Sequence, residues 1–88
     1  MFILKVIGRD DILKDGIAWV GPYETQDLAQ NGADRIESCN PDDYSATILD
    51  VNDDMPNEYA ILGVDKNGQM YGNLPGEFLS EFYFTHCF

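Results

Sequence analysis

Carboxylates are the side chains of this chain whose number and spacing could support chemistry. Residues 36–65 contain eight of them and no lysine or arginine. These eight are Glu37, Asp42, Asp43, Asp50, Asp53, Asp54, Glu58 and Asp65. A segment with charge of one sign must be solvated, bind metal ions, or face a positively charged partner.

A calcium-binding loop is the first arrangement that these residues resemble. Asp50, Asn52 and Asp54 supply oxygen ligands at the first, third and fifth positions of such a loop. Met55, however, stands where the loop requires glycine, and Ile61 stands where it requires a bidentate glutamate. The sequence therefore predicts no metal site, and it indicates no cofactor.

The sequence contains no catalytic motif. His86 is its one histidine, and the adjacent Cys87 would point to the opposite face of a strand, away from the imidazole. Gly21-Pro22 precedes a helix without the spaced glycines and the lysine of a phosphate-binding loop. We therefore expect no enzymatic activity. For Cys39 and Cys87, which lack metal-ligand spacing, free thiols are favoured over a disulfide in a cytoplasmic chain.

The net charge limits the classes of partner. Sixteen acidic and five basic residues give the 88-residue chain a net charge of −11. Such a chain repels nucleic acid and anionic membranes, which argues against direct binding to either. The apolar N-terminus is too short for a signal peptide, so we expect a cytoplasmic protein. Basic partners are favoured, with binding that weakens as salt rises.

Apolar runs bounded by turn residues predict five strands. The runs cover residues 2–7, 17–20, 44–51, 59–64 and 69–71. Asp15-Gly16 favours a hairpin turn, so the first two strands should pair antiparallel, and Gly21-Pro22 should end the second strand. Asn67-Gly68 predicts a second hairpin. After Pro75 we expect a helical turn and then a terminal strand from about Phe82, with bulky core side chains from Phe78, Phe82, Tyr83 and Phe84.

One main helix is predicted, from about Gln26 to Ser38, with Thr25 suited to cap its N-terminus. Its apolar stripe consists of Leu28, Ala29, Gly32, Ala33 and Ile36. Most of these residues are small, which indicates close approach to a sheet. The predicted fold is α+β, a single compact domain over residues 1–88. We expect the helix to pack on one face of an antiparallel or mixed sheet of four to six strands.

The segment Trp19 to Thr25, Trp-Val-Gly-Pro-Tyr-Glu-Thr, is followed by Leu28-Ala29 and Ala33. This pattern resembles one found in short phage-encoded proteins, where a threonine-capped helix leads to a returning strand, here Tyr44 to Val51. The resemblance covers about residues 17–56, implies a phage or mobile-element origin, and carries over no functional residue. Size and charge are similar to those of phage anti-restriction, anti-CRISPR and uracil-DNA glycosylase inhibitor proteins.

Two functions fit these observations. In the first, a small acidic phage-type inhibitor binds a basic nucleic-acid-binding protein in the host cytoplasm as a DNA mimic, with carboxylates in place of phosphates. Its predicted partner-contact residues are Asp42, Asp43, Tyr44, Asp50, Asp53, Asp54, Glu58 and Tyr59, and its secondary acidic face consists of Glu24, Asp27, Asp34 and Glu37. In the second, the protein is a non-catalytic interaction module or homodimer, and the acidic surface only keeps it in solution.

Overall fold

The computed structural model describes residues 1–9, 11–39, 41–51, 61–64, 66, 70–72 and 74–85. Its strands are β1 (Phe2–Ile7), β2 (Ile17–Tyr23), β3 (Ser45–Asp50), β4 (Ile61–Val64), β5 (Met70–Gly72) and β6 (Glu77–Phe78). Its helices are α1 (Gln26–Cys39) and α2 (Glu81–Thr85). Strands β3, β1, β2 and β6 form one mixed sheet in that order, and β4 and β5 form a separate antiparallel pair. The turn predicted at Asn67-Gly68 lies outside the described residues. The predicted α+β class is confirmed.

β1 lies inside the four-stranded sheet, antiparallel to β2 on one side and to β3 on the other. Its Lys5 is paired with Trp19 of β2 and with Thr47 of β3. The predicted turn before β2 has positive φ at both of its residues, 59° at Asp15 and 71° at Gly16. This turn brings the two strands together over a short connection, so the predicted antiparallel pair is confirmed.

β2 does not end at Gly21-Pro22, so that prediction is wrong. The strand continues to Tyr23, which pairs with Phe2 after an irregularity in the register between Phe2 and Leu4. Gly21 has φ of 144°, and the peptide bond between Gly21 and Pro22 is cis. An irregularity of this kind accommodates a residue that lacks a backbone N–H without terminating the strand. Tyr23 therefore remains part of the sheet.

α1 packs on the sheet through its small residues. The hydroxyl of Thr25 accepts a hydrogen bond from the backbone N–H of Leu28 at 3.2 Å, as predicted for the helix cap. The buried residues of the helix are Ala29, Gly32, Ala33 and Ile36. Leu28 was predicted to join them, but it is 49% exposed. At about 100° per residue, Leu28 lies outside the arc that the other four occupy.

A second, smaller core lies on the other face of the sheet. Ile3 and Trp19 are buried at its centre. The indole N–H of Trp19 donates a hydrogen bond to the carbonyl oxygen of Pro75 at 2.6 Å, which ties the segment before β6 to this face. β3 contributes to both cores, with Ile48 packed on the α1 side and Leu49 on the Trp19 side. Successive side chains of β3 therefore point to opposite faces of the sheet.

The C-terminal segment forms its elements in the reverse of the predicted order. β6 comes first and pairs in parallel with β2, and α2 follows. Phe84 is buried at 2% exposure, whereas Phe82 and Tyr83 are 66% and 49% exposed. The spacing of Phe82 and Phe84 is also typical of a strand. However, β6 already occupies the position beside β2, and one helical turn suffices to bury Phe84 against α1.

Cys39, the last residue of α1, is disulfide-bonded, so the expectation of a free thiol is wrong for this residue. The sequence has one other cysteine, Cys87, which lies outside the described residues. The expectation of free thiols depended on an assumed reducing compartment and not on the residues themselves. Sequence spacing does not show whether two cysteines meet in space.

Candidate functional site

The predicted partner-contact residues lie at both ends of β3. Asp42 and Asp43 are exposed in the turn before this strand, and the partly buried Asp50 ends it. β3 is six residues long, and about 20 Å of strand therefore separates the two groups. The structure does not join them into one row. The remaining predicted contacts, Asp53, Asp54, Glu58 and Tyr59, lie outside the described residues.

The predicted secondary acidic face has three of its residues on α1, and its fourth, Glu24, lies just before the helix. All four of its members are exposed: Glu24, Asp27, Asp34 and Glu37. Between Asp27 and Glu37 the helix advances about 15 Å, and its three carboxylates lie within an arc of about 80°. The amide of Gln30 donates a hydrogen bond to Asp34 at 2.9 Å, so the intervening surface is also polar. We call Asp27, Asp34 and Glu37, with Asp42 and Asp43 of the following turn, the acidic surface.

The C-terminal end of α1 increases the negative potential of the acidic surface. The last turn of the helix contains no basic residue, although a cation there would complement the helix dipole. Glu37 occupies that turn instead, and Asp42 and Asp43 follow it closely in sequence. The charge of Glu37 in the last turn costs about 0.3–1 kcal/mol of stability. An arrangement that lowers stability without a structural gain is typical of a functional surface.

Arg35 is the one basic residue of α1, and it is held away from the acidic surface by Glu81 of α2. Its guanidinium donates two hydrogen bonds to the carboxylate, from Nε to Oε2 at 3.0 Å and from Nη2 to Oε1 at 2.9 Å. Such bidentate pairs are geometrically specific. In the described part of the chain, neither Asp34 nor Glu37 forms an ion pair.

Glu81 joins α2 to both α1 and β2. The hydroxyl of Tyr23 donates a further hydrogen bond to Glu81 Oε1 at 2.8 Å. Burial alone would raise the pKa of Glu81, but the hydrogen bonds from Arg35 and Tyr23 outweigh it and lower that pKa below its ordinary value. Burial, followed by the bond to Glu81, raises the pKa of Tyr23. Gly32 leaves room for this network, because a Cβ there would overlap both the hydroxyl and the carboxylate.

Glu81→Gln is expected to lower the free energy of unfolding by about 1 kcal/mol at neutral pH, because the charge-assisted bonds to the half-exposed Arg35 are weakened. The folded-state pKa of Glu81 is depressed, so its stabilisation is present above the unfolded-state pKa and is lost as the pH falls through the folded-state value. Urea titrations at neutral and acidic pH measure this. The deficit of the variant relative to the wild type should shrink in acid, whereas a constant deficit would contradict the assignment. Asp34→Asn is the control, because it neutralises an exposed carboxylate of the adjacent helix.

Tyr44 and Tyr83 form a second surface feature beside the acidic surface. Tyr44, a predicted contact, is partly buried, and Tyr83 of α2 is 49% exposed. Burial first, and then the neighbouring Tyr83 and Asp43, raise the pKa of Tyr44, and Arg9 and Asp11 also interact electrostatically with its hydroxyl. We call these five residues the tyrosine patch.

Tyr83 and Asp11 were not among the predicted contacts. Asp11 lies before β2, and Tyr83 belongs to a segment whose aromatic residues were expected to enter the core. An exposed aromatic residue beside carboxylates is a signal that sequence alone cannot provide, because the fold brings these segments together.

Other types of site find no support among the described residues. No group of three or more histidine, cysteine, aspartate or glutamate side chains is placed there to hold a metal ion. No helix in the same part of the chain is long and apolar enough to cross a membrane. Comparison with known proteins finds no matching family model, no matching curated protein and no matching solved structure. Function must therefore be inferred from the surface itself.

Proposed function

We propose that this protein is a non-enzymatic, phage-type inhibitor that binds a basic nucleic-acid-binding protein of a host cell and occupies its nucleic-acid site as a DNA mimic. The observation that supports this proposal is the acidic surface, whose carboxylates follow one side of α1 while Arg35 is engaged by Glu81. Lysine and arginine side chains that bind phosphates can bind carboxylates through the same charge-assisted hydrogen bonds. The partner class is part of the proposal.

The charge density of α1 is compatible with this role. The three carboxylates span about 15 Å of helix, a mean axial spacing of about 7.5 Å, which is about twice the spacing of about 3.4 Å between phosphates of one DNA strand. Asp42 and Asp43 add charge at the C-terminal end of the row. The surface can therefore engage part of a basic groove, and the net charge of −11 would accelerate the encounter at low salt.

The test compares two double variants that remove the same charge. Asp34→Asn with Glu37→Gln neutralises two of the three carboxylates of α1, and Asp15→Asn with Glu77→Gln neutralises two carboxylates outside the acidic surface. The immobilised protein is exposed to host lysate at low salt, and proteins released by a short DNA duplex are purified for affinity measurement. The α1 variant should weaken their binding about tenfold and reduce the salt dependence of binding, because two charge-assisted contacts are lost. The control variant should change the affinity less than about twofold.

Two results would contradict the proposal. Failure of the DNA duplex to release any retained protein would show that the partner site is not a nucleic-acid site. Equal weakening by both double variants would show that net charge alone is responsible, and not the placement of carboxylates on α1.

A second candidate function, a non-catalytic interaction module or homodimer, is supported by the exposed aromatic side chains of α2. Phe82 and Tyr83 are 66% and 49% exposed, and aromatic side chains are enriched at protein–protein interfaces. Salt distinguishes the two candidates. Binding through the acidic surface should weaken steeply as salt rises, whereas association through apolar rings should persist. Sedimentation of the protein alone at low and high salt measures whether it self-associates through these rings.

A further inference from the structure

The tyrosine patch is built on one buried ring. Phe84 is 2% exposed, and its ring packs edge-on against Tyr44, with centroids 5.0 Å apart and an interplanar angle of 83°. Tyr83 packs on the same ring at 5.2 Å and 78°. Both tyrosines are therefore positioned before any partner arrives, which reduces the entropy lost on binding.

Carboxylates lie beside these rings. Asp11 is engaged by Arg9, whose Nε and Nη2 donate to the two carboxylate oxygens at 3.1 and 2.7 Å. Asp43 is exposed and is close enough to Arg9 to interact with it electrostatically. Among the described residues it nevertheless forms no ion pair. The patch thus presents the exposed ring of Tyr83 and the exposed carboxylate of Asp43, both near Tyr44.

We propose that the tyrosine patch anchors an arginine side chain of a basic partner protein, with the guanidinium on the ring of Tyr83 and its N–H groups donating to Asp43. This rests on the proposed function, since it specifies which side chain of that partner is held and where. A planar guanidinium stacks on aromatic rings and pairs with carboxylates, whereas the compact lysine ammonium does both less well. Tyrosine and arginine are also the residues that dominate binding at interface centres.

Charge complementarity selects a basic partner over a second copy of the chain. Two chains of net charge −11 that met at this patch would place Asp11 and Asp43 against the same carboxylates of the other copy, which is unfavourable. Asp43 is also the last member of the acidic surface, so the anchor continues the α1 row. In this arrangement the row attracts the partner and the patch holds it.

The test uses an arginine nonapeptide and a lysine nonapeptide as probes, titrated into the isotope-labelled protein by NMR. The wild type should bind the arginine peptide about three- to tenfold more tightly than the lysine peptide. The largest amide shifts should fall on Asp43, Tyr44 and Tyr83. Tyr83→Leu should abolish the arginine preference, and Tyr83→Phe, which keeps the ring, should retain it. Tyr71→Leu is the matched control, because Tyr71 is an exposed tyrosine of β5, at 51%.

Three results would overturn the inference: equal affinity of the wild type for the two peptides, loss of preference in Tyr71→Leu as well, or a dimer that Tyr83→Leu converts to a monomer. The unperturbed amide spectrum of each variant verifies its fold. The outcome is separable from that of the proposed function. Neutralising Asp34 and Glu37 should weaken both peptides alike and leave the arginine preference intact. Suppose that the wild type shows no preference for the arginine peptide, while Asp34→Asn with Glu37→Gln still weakens binding of the partner released by DNA. That result would contradict the arginine anchor and leave the proposed function standing.

Discussion

Replacing Gly76 with alanine should lower the free energy of unfolding by about 3 kcal/mol or more, because the added methyl group has no available space. The φ angle of Gly76 is 90°, which side chains with a Cβ rarely adopt. A Cβ there would also overlap the backbone carbonyl group of Ile17. That carbonyl belongs to β2 and cannot move away without disturbing the sheet. A small domain has only about 5–15 kcal/mol of total stability, so the loss is large.

Thermal and urea unfolding followed by far-UV circular dichroism measure the effect of Gly76→Ala. Ser38→Ala serves as the control, since Ser38 is an exposed residue of α1 and its replacement should change stability by less than about 0.5 kcal/mol. If Gly76→Ala were as stable as the control, the segment before β6 would have to be able to shift away from β2, contrary to the packing described above.

Trp19→Phe should cost about 2–3 kcal/mol, through two losses on the face of the sheet opposite α1. The indole of Trp19 is 2% exposed and donates its N–H to the carbonyl oxygen of Pro75. Phenylalanine would leave that oxygen without this donor and would leave a void where the larger ring packed. The ammonium of Lys5, 5.9 Å from the centre of the ring, adds little at that distance.

Circular dichroism is again the appropriate measurement, because Trp19 is the one tryptophan of the chain and its replacement removes the fluorescence signal. Tyr71→Phe is the control, an exposed aromatic substitution with an expected effect of less than about 0.5 kcal/mol. A loss of under about 1 kcal/mol in Trp19→Phe would mean that the bond to Pro75 contributes little and that the surrounding side chains close the void.

The elements confirmed by the structure are those that local chemistry determines. The apolar run of residues 2–7 predicted β1, and Asp15-Gly16 predicted the turn before β2. Thr25 predicted the start of α1. The predictions are wrong where contacts with a segment distant in sequence determine the local structure. Gly21-Pro22 remains part of β2 because a shift in the pairing register with β1 accommodates it. The aromatic residues from Phe82 to Phe84 form a helix because β6 takes the place beside β2.

The candidate site shows the same division. Exposure of the carboxylates of α1 followed from the periodicity of the helix. The separation of Asp42 from Asp50, and the meeting of Tyr83 with Tyr44, depended on strand direction and on the path of the C-terminal segment. The disulfide of Cys39 could not be predicted from the sequence either, because it depends on proximity in space and not on spacing along the chain.

The parallel pairing of β6 with β2 has a consequence for the order of folding. Trp19 and Pro75, which it brings together, are 56 positions apart, whereas the paired residues Ile7 and Ile17 of β1 and β2 are about ten positions apart. Closing the longer loop costs more chain entropy, so we expect the β1–β2 hairpin and α1 to form early and the C-terminal segment to dock last. Tyr83 arrives with that segment. The tyrosine patch is therefore complete only in a fully folded chain. Under the proposed function, a chain whose C-terminal segment had not docked would present the acidic surface without the anchor.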